Sequence, residues 1–248
     1  MRVGLMIPCY VDIFYPEVGI ATLELLEKLG VKVEYPIDQT CCGQPMANSG
    51  CESDARATEE LLVRNFSKFD YIVIPSGSCT HHVRNKFTAA PASPEREQVA
   101  THAYDLVEFL HDVLSVTEFP WAAFPHRVAV HTSCSAIRGL NEESMSERVH
   151  DAKFSKPKDL LRRVKGIEIA EFERADECCG FGGTFAVSEE AVSVKMGVDK
   201  LGFIAKTAAE YMVSSDMSCL MHLQGCARRL QREVKFVHLA QVLNGCAQ

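Results

Sequence analysis

The sequence predicts an α/β fold of two pseudo-repeated halves, with mostly parallel strands and with cysteine loops at the strand ends that face a site shared between the halves. Two observations support this prediction. Short apolar segments alternate with amphipathic segments along the chain, a pattern typical of units in which helices connect parallel strands. The second half of the chain also repeats the first half in order, which indicates a duplication.

Three pairs of matching segments carry the repeat, and every segment contains cysteine. They are RVGLMIPC and RVAVHTSC (2–9 and 127–134), CCGQP and CCGFG (41–45 and 178–182), and DYIVIPSGSC and EYMVSSDMSC (70–79 and 210–219). The second half is longer because it carries an insertion over residues 138–158. A proline-flanked segment at 119–126 marks the boundary. We therefore expect one cysteine-rich half over residues 1–122 and another over residues 123–248.

The elements of the first half follow from its residue patterns. Residues 2–8 predict a strand, and residues 16–30 predict an amphipathic helix because proline stands at its start and glycine at its end. Residues 31–36 predict a second strand that leads into the first Cys-Cys-Gly turn. Residues 53–69 predict a helix capped by its first serine, and residues 71–76 predict the third strand.

The second half repeats this order of elements. Its helices are predicted over residues 157–166 and 189–207, and its later strands over residues 167–172 and 211–215. In both halves the cysteines follow the ends of strands, which is where open α/β sheets place their ligands.

Composition excludes several classes of protein. The formal net charge is −7 and no block of lysine and arginine is present, so we expect no nucleic-acid partner. The sequence contains no run of about 18 apolar residues, so we expect no direct insertion into a membrane. The first residues also lack the pattern of a signal peptide. A cytoplasmic, reducing location is therefore expected. There the 11 cysteines indicate metal or redox chemistry rather than disulfides.

Each half offers one cysteine after its first strand, two in its second turn and one after its third strand. The two sets are Cys9, Cys41, Cys42 and Cys79 in the first half, and Cys134, Cys178, Cys179 and Cys219 in the second. Four thiolates can hold a [4Fe-4S] cluster or a tetrahedral zinc ion. The alternative, small buried apolar residues, fits an ordered repeat of eight positions poorly. We expect that alternative for Cys51, Cys226 and Cys246, which have no counterpart.

Three histidines are weak catalytic candidates because they stand at fixed distances from the cysteines. His131 lies three residues before Cys134, whereas His82 and His222 each lie three residues after the third-strand cysteine of their half. A histidine can act as a general base, but a structural hydrogen bond to a loop carbonyl or a cluster sulfur is the favoured interpretation here. His81 has no counterpart, and we expect it to face solvent.

Several motifs together resemble the CCG cysteine-rich family, which includes heterodisulfide reductase B subunits and the iron–sulfur subunit of glycolate oxidase. They are PCYVDIFYPEVG, CCGQPMANSG, PSGSC, CCGFGGTFAV and SSDMSCLMHL. The likeness is strongest to the lactate-utilisation members and covers essentially the whole chain. It implies an iron–sulfur oxidoreductase subunit of an NAD-independent complex that oxidises L-lactate to pyruvate. It also implies two partners, a ferredoxin-like iron–sulfur protein and a third small subunit.

The sequence departs from heterodisulfide reductase B subunits, whose motifs end in C-x₂-C and supply five cysteines per site. Ser76 and Asp216 stand at the first position of that pair. We therefore expect a four-thiolate [4Fe-4S] cubane or an oxygen ligand from Asp216, with zinc at one site as an alternative.

Two other functions stay open. One is a non-catalytic scaffold with zinc-filled or empty sites, and the other is the same redox role with glycolate or a thiol/disulfide donor. No G-x-G-x-x-G fingerprint is present, so we expect the hydride acceptor elsewhere in the complex.

Overall fold

The computed structural model describes residues 1–247, and these residues contain two four-stranded parallel sheets, one in each half. The strands are β1 (Val3–Leu5), β2 (Val33–Glu34), β3 (Tyr71–Ile74), β4 (Ala103–Asp105), β5 (Arg127–His131), β6 (Glu168–Ala170), β7 (Tyr211–Ser214) and β8 (Lys235–His238). The strand orders are β2-β1-β3-β4 and β6-β5-β7-β8, and every neighbouring pair is parallel. The predicted α/β fold of two repeated halves is confirmed.

Helices connect successive strands, as parallel pairing requires. In the first half they are α1 (Cys9–Phe14), α2 (Pro16–Lys28), α3 (Gln44–Asn48), α4 (Arg56–Phe66), α5 (Gly77–Asn85), α6 (Pro94–His102) and α7 (Leu106–Glu108), which continues as a π-helical turn (Phe109–Val113). In the second half they are α8 (Cys134–Leu140), α9 (Lys156–Leu161), α10 (Phe185–Ser188), α11 (Glu190–Ala205), α12 (Met217–Arg229) and α13 (Leu239–Asn244). Within the described chain, no helix is long and apolar enough to cross a membrane.

The predicted elements are present but shorter. The helix expected over residues 16–30 is α2, and the chain turns at Gly30 with φ +77°, the left-handed conformation that glycine adopts readily after a helix. The helix expected over residues 53–69 begins as a 3₁₀ turn and its serine makes no capping hydrogen bond, so that part of the prediction was wrong. Strands β4 and β8 were not predicted because their residues, AYD and KFVH, form no apolar run.

The core is shared between the halves because the helix after each fourth strand packs on the opposite half. We call α7 and α13 the exchanged helices: α7 packs against α9, and α13 packs against α2. The Nζ atom of Lys28 in α2 donates hydrogen bonds to the backbone oxygen and the Oδ1 atom of Asn244 in α13, at 2.8 and 2.7 Å. Buried apolar side chains of both halves consequently form one continuous cluster, and a second, smaller cluster lies within the first half.

The strand order places the cysteine loops at one edge of each sheet. In the first half the chain leaves β1 toward β2 on one side and leaves β3 toward β4 on the other. The two connections therefore diverge at the carboxyl ends of β1 and β3 and open a crevice there, which is the usual position of a ligand in such sheets. Strands β5 and β7 create the same crevice in the second half.

Candidate metal centres

The first cysteine set comes together at the crevice of the first half. Cys9 is the first residue of α1, directly after β1, and Cys79 lies in the first turn of α5, directly after β3. Cys41 and Cys42 lie in the turn between β2 and α3. The Sγ atoms of Cys9 and Cys41 are 3.8 Å apart, and Cys42 contacts both Cys41 and Cys79. The structure thus brings these four predicted residues into one group.

The second set forms a matching group in the second half. Cys134 begins α8 and Cys219 lies in the first turn of α12. Cys178 contacts Cys134 and Cys179, and Cys179 in turn contacts Cys219. The backbone N–H of Gly180 donates to the Sγ atom of Cys178 at 3.4 Å, as an amide beside an iron–sulfur or zinc thiolate does.

Glycine is required after each cysteine pair because the backbone there adopts a left-handed conformation. The φ angle is +95° at Gly43 and +98° at Gly180, a region that other residues rarely adopt. A Cβ atom at Gly180 would also lie 2.5 Å from the carbonyl oxygen of Ser193. The Cys-Cys-Gly sequence is therefore a tight corner that presents two neighbouring thiols to one site.

Hydrogen bonds between the thiols shift their pKa values in the same way in both halves. Donation from Cys42 and Cys9 lowers the pKa of Cys41 to about 3, and donation from Cys134 and Cys179 lowers the pKa of Cys178 to about 2. Donation to Cys41 and burial raise the pKa of Cys9. In each half the hydrogen bonds therefore favour ionisation of one thiol, Cys41 or Cys178, over the thiols that donate to it, and a bound metal would displace the remaining protons.

The donors of both halves fit a metal that prefers sulfur. Four thiols and a nearby backbone N–H are the ligand set of iron–sulfur clusters and of structural zinc. The 3.8 Å between the Sγ atoms of Cys9 and Cys41 equals the edge of a tetrahedron with metal–sulfur bonds of about 2.3 Å. A cubane cluster would need these sulfurs to move further apart.

A cavity of about 500 Å³ lies between the two cysteine sets, and cysteines of both sets line it. Its lining is mostly apolar, but the N-terminal turns of helices in both halves contribute six polar residues to it. These lining residues are Ser76, Ser78, Ser133, Ser135, Asp216 and Ser218. The cavity can therefore bind a small polar molecule in contact with both candidate metal centres.

Basic side chains also line this cavity. Lys86 and Arg138 both do so, and Arg138 pairs with Glu147 at 3.1 Å.

The expectation that His81 faces solvent was wrong, because His81 lines the cavity and is half-buried. It packs so closely on Gly139 of the other half that a Cβ atom there would lie 2.1 Å from its Nδ1 atom. This contact between distant segments explains why the sequence did not reveal it.

The three catalytic candidates lie outside the cavity lining. His82 is fully buried, and its Nε2 atom lies 3.6 Å from the carboxylate of Glu59. The Nε2 atom of His222 lies 3.2 Å from the backbone oxygen of Ser193. His131 is buried beside the second cysteine set, and burial holds its pKa well below the usual range. The imidazole of His131 is therefore neutral.

The cysteines without counterparts differ from one another. Cys226 is buried, as expected, and lies 3.9 Å from the Nε2 atom of His222. Cys51 and Cys246 are exposed, so the expectation of a buried apolar role was wrong for both. Exposure of these two is consistent with their positions beside a surface turn and after the last helix.

A buried acidic pair near the junction of the halves was missed. Asp105 caps α7 by accepting a hydrogen bond from the backbone N–H of Val107 at 2.8 Å, and burial raises the pKa of Asp105 to about 8. Glu142 is also fully buried, and burial raises its pKa. His238 caps α13 at the equivalent position, by accepting from Ala240 at 3.1 Å. The similar segments DLVEFL and HLAQVL begin at Asp105 and His238, and this similarity could have indicated the two caps.

Comparison with known proteins assigns the family. The model of the CCG cysteine-rich domain matches residues 3–84 and 128–224, once in each half. The chain belongs to the CCG cysteine-rich domain family. Each match includes all four cysteines of its half, so both groups described above lie within the matched residues of this CCG protein.

Relatives of this CCG protein align over nearly its whole length. Lactate utilization protein A of Geobacillus kaustophilus is 40% identical, over 98% of this chain and 99% of the relative. Lactate utilization protein A of Oceanobacillus iheyensis is 39% identical, over 98% and 97%. A crystal structure of a hypothetical protein from Helicobacter pylori has a TM-score of 0.56 at 10% identity and covers all of this chain and 49% of that one, which shows similarity of fold alone.

In this CCG protein, the residues three positions before the third-strand cysteines bridge the two halves. Ser76 caps α5 by accepting a hydrogen bond from the backbone N–H of Cys79 at 3.3 Å. The Oδ2 atom of Asp216 accepts from the backbone N–H of Ser78 at 2.9 Å and from the Ser76 hydroxyl at 3.4 Å. Asp216 thus binds the start of a helix in the opposite half.

Proposed function

We propose that this chain is the iron–sulfur subunit of an NAD-independent complex that oxidises L-lactate to pyruvate. The observation that carries the proposal is that two four-thiol groups line one cavity. Full-length relatives named for lactate utilisation support the substrate. When bound, iron–sulfur clusters supply one-electron chemistry, and one cluster held by each set of four cysteines suits the two electrons that lactate loses.

The residues of the cavity suit a small 2-hydroxy acid. The ammonium group of Lys86 and the guanidinium group of Arg138 offer positive charge to a carboxylate. The carboxylate of Asp216 and the serine hydroxyls of the wall can accept or donate hydrogen bonds at a hydroxyl group. The chain's own residues would therefore bind and orient the acid between the two cysteine sets.

The electrons must then leave this chain, which requires partners. A ferredoxin-like iron–sulfur protein and a third small subunit are the partners that we propose. Val187 is 85% exposed although it also lines the cavity, and Phe14 is 59% exposed. Apolar side chains exposed at such positions suit contact with another subunit.

Metal analysis of anaerobically purified protein tests the proposal. We expect iron and acid-labile sulfide, and we expect Cys178→Ser to lose about half of the iron together with lactate-dependent electron transfer in the reconstituted complex. Cys51→Ser is the matched control, because Cys51 is exposed and lies outside both groups; it should keep both. A chain that binds no iron after anaerobic reconstitution would contradict the proposal.

A zinc-stabilised scaffold is the second candidate, and the 3.8 Å between the Sγ atoms of Cys9 and Cys41 favours it. In that case the protein would contain zinc, and Cys178→Ser would lower stability without affecting lactate-dependent electron transfer. A redox role with another donor is distinguished by offering L-lactate, glycolate and a disulfide to the same complex and measuring which one exchanges electrons with it.

A further inference from the structure

The two halves differ at the residue that precedes the first cysteine by three positions. Met6 occupies this position in the first half and His131 occupies it in the second. Both side chains are buried, with 0% and 1% of their surface exposed. The same place in the fold therefore carries a thioether in one half and an imidazole in the other.

His131 lies among the sulfurs of the second group. A ring nitrogen of His131 and the Sγ atoms of Cys179 and Cys219 all lie within 4.8 Å of one another. Both ring nitrogens are buried, and neither has a hydrogen-bond partner among residues 1–247. Buried imidazoles nearly always have partners, so this arrangement calls for a further group between the nitrogen and the two sulfurs.

We propose that His131 is a nitrogen ligand of the metal centre in the second half, beside its cysteines. The first half, with Met6 at this place, would hold its metal through sulfur alone. The inference rests on the metal-binding part of the proposed function and is independent of the substrate. Neutral imidazole is a common ligand of zinc and iron, and together with two or three thiolates it completes a familiar donor set.

The proposal makes the two centres unequal in redox potential. Replacing thiolate by histidine ligands raises the potential of an iron–sulfur centre, because imidazole donates less negative charge to the metal. The buried ammonium group of Lys200 interacts electrostatically with the thiols of Cys179 and Cys219. It acts in the same direction because it stabilises the reduced, more negative state. Electrons would therefore collect in the second half.

Electron spin-echo measurements on the full chain test the ligand directly. We expect a strong ¹⁴N coupling on the paramagnetic centre, which changes to a ¹⁵N pattern when histidine is ¹⁵N-labelled. His131→Met should abolish it, and the fold should tolerate methionine because Met6 fills the same place in the other half. His222→Met is the control, since His222 bonds the backbone of Ser193; it should keep the coupling.

The nitrogen coupling of the wild-type protein tests whether histidine binds the metal even if His131→Met does not fold. Absence of a strong nitrogen coupling in the labelled wild-type protein overturns the proposal, and so does its persistence in His131→Met.

A chain that takes up no iron would refute the proposed function but not this inference. The ¹⁵N-labelling experiment is then repeated on the Co²⁺-loaded protein. The absorption bands of the Co²⁺ protein also distinguish all-sulfur coordination from mixed sulfur–nitrogen coordination.

In the iron protein, a redox titration should resolve two midpoint potentials, and His131→Met should lower the higher one. Unchanged potentials in that variant would contradict the proposal.

Discussion

At the scale of single residues, Asp216 places a buried carboxylate across the junction of the halves. Its Oδ2 atom accepts the hydrogen bond from Ser78 in the opposite half, and its Oδ1 atom accepts from the hydroxyl of Ser218 at 2.6 Å. Only 1% of the side chain is exposed, so water cannot easily replace these bonds when the carboxylate is removed.

We therefore expect Asp216→Ala to lower the free energy of unfolding of the metal-free protein by about 1–3 kcal/mol, because the first turn of α5 loses a buried hydrogen-bond acceptor. Urea denaturation measures this. Asp199→Ala is the control, since Asp199 forms an exposed pair with Lys195 and should cost less than about 0.5 kcal/mol. Equal losses in the two variants would show that Asp216 does not bridge the halves.

At the scale of elements, the two Cys-Cys-Gly corners differ in how well they tolerate a side chain in place of glycine. A Cβ atom at Gly43 would lie 3.2 Å from the Cβ atom of Ala55, whereas at Gly180 it would lie 2.5 Å from a backbone oxygen. Gly180→Ala should therefore cost more stability than Gly43→Ala, and both should cost at least about 1 kcal/mol because φ is positive.

Thermal unfolding of the metal-free variants measures that order. Gly202→Ala in α11 is the control, because a Cβ atom there meets nothing within 4 Å and alanine favours a helix by up to about 1 kcal/mol. The packing explanation fails if Gly43→Ala is the more damaging of the two corner substitutions.

The cap of α7 makes stability depend on pH. Asp105 has a folded pKa of about 8, raised by burial and by Glu108, whereas an unfolded aspartate titrates near 3.9. Between these values the unfolded chain binds fewer protons than the folded one, so stability falls as pH rises, by up to about 1.4 kcal/mol per pH unit. Asp105→Asn keeps a capping oxygen and should reduce this fall.

Urea midpoints at pH 5 and pH 8 test this prediction, and the variant should gain on the wild type at the higher pH. Glu142 and Asp216 also face Asp105. Because the pKa of Glu142 is raised as well, the stability of Asp105→Asn should still fall somewhat as pH rises. Parallel pH profiles for the two proteins would mean that Asp105 ionises normally in the folded state.

The sequence revealed the features that depend on short segments of the chain, and it did not reveal those that depend on contacts between distant segments. The cysteine repeat located all six cysteine loops, three in each half, because the cysteines follow the strand ends in the same order in both halves. It did not reveal β4 and β8, whose residues AYD and KFVH form no apolar run. It also did not reveal the contact of His81 with Gly139 or the burial of Glu142, because those depend on how the halves meet.

At the scale of the whole molecule, the exchanged helices make the halves unfold together. Asn244 in α13 bonds Lys28 and also donates to the carboxylate of Glu24 at 2.7 Å. The single tryptophan, Trp121, donates to the backbone oxygen of Leu243 at 3.0 Å. Its fluorescence therefore reports on α13, while circular dichroism reports on all helices.

We expect one cooperative transition with both probes, and we expect Asn244→Ala to lower the free energy of unfolding by about 1–3 kcal/mol in both. Glu233→Ala, in the exposed segment before β8, should leave the midpoint unchanged. If the fluorescence transition moves alone in Asn244→Ala, α13 unfolds separately and the halves are not interlocked.

The exchanged helices also constrain how such a chain could have arisen. Helix α2 is covered by the exchanged helix of the opposite half, and α9 is covered by the exchanged helices of both halves, so a protein with one repeat would have left apolar surface open to water. Two copies would have covered each other by trading that helix, as domain-swapped dimers do. A symmetric dimer of one repeat would place such a cavity on its two-fold axis, and only in a fused chain can the two matched positions carry different residues, as Met6 and His131 do here.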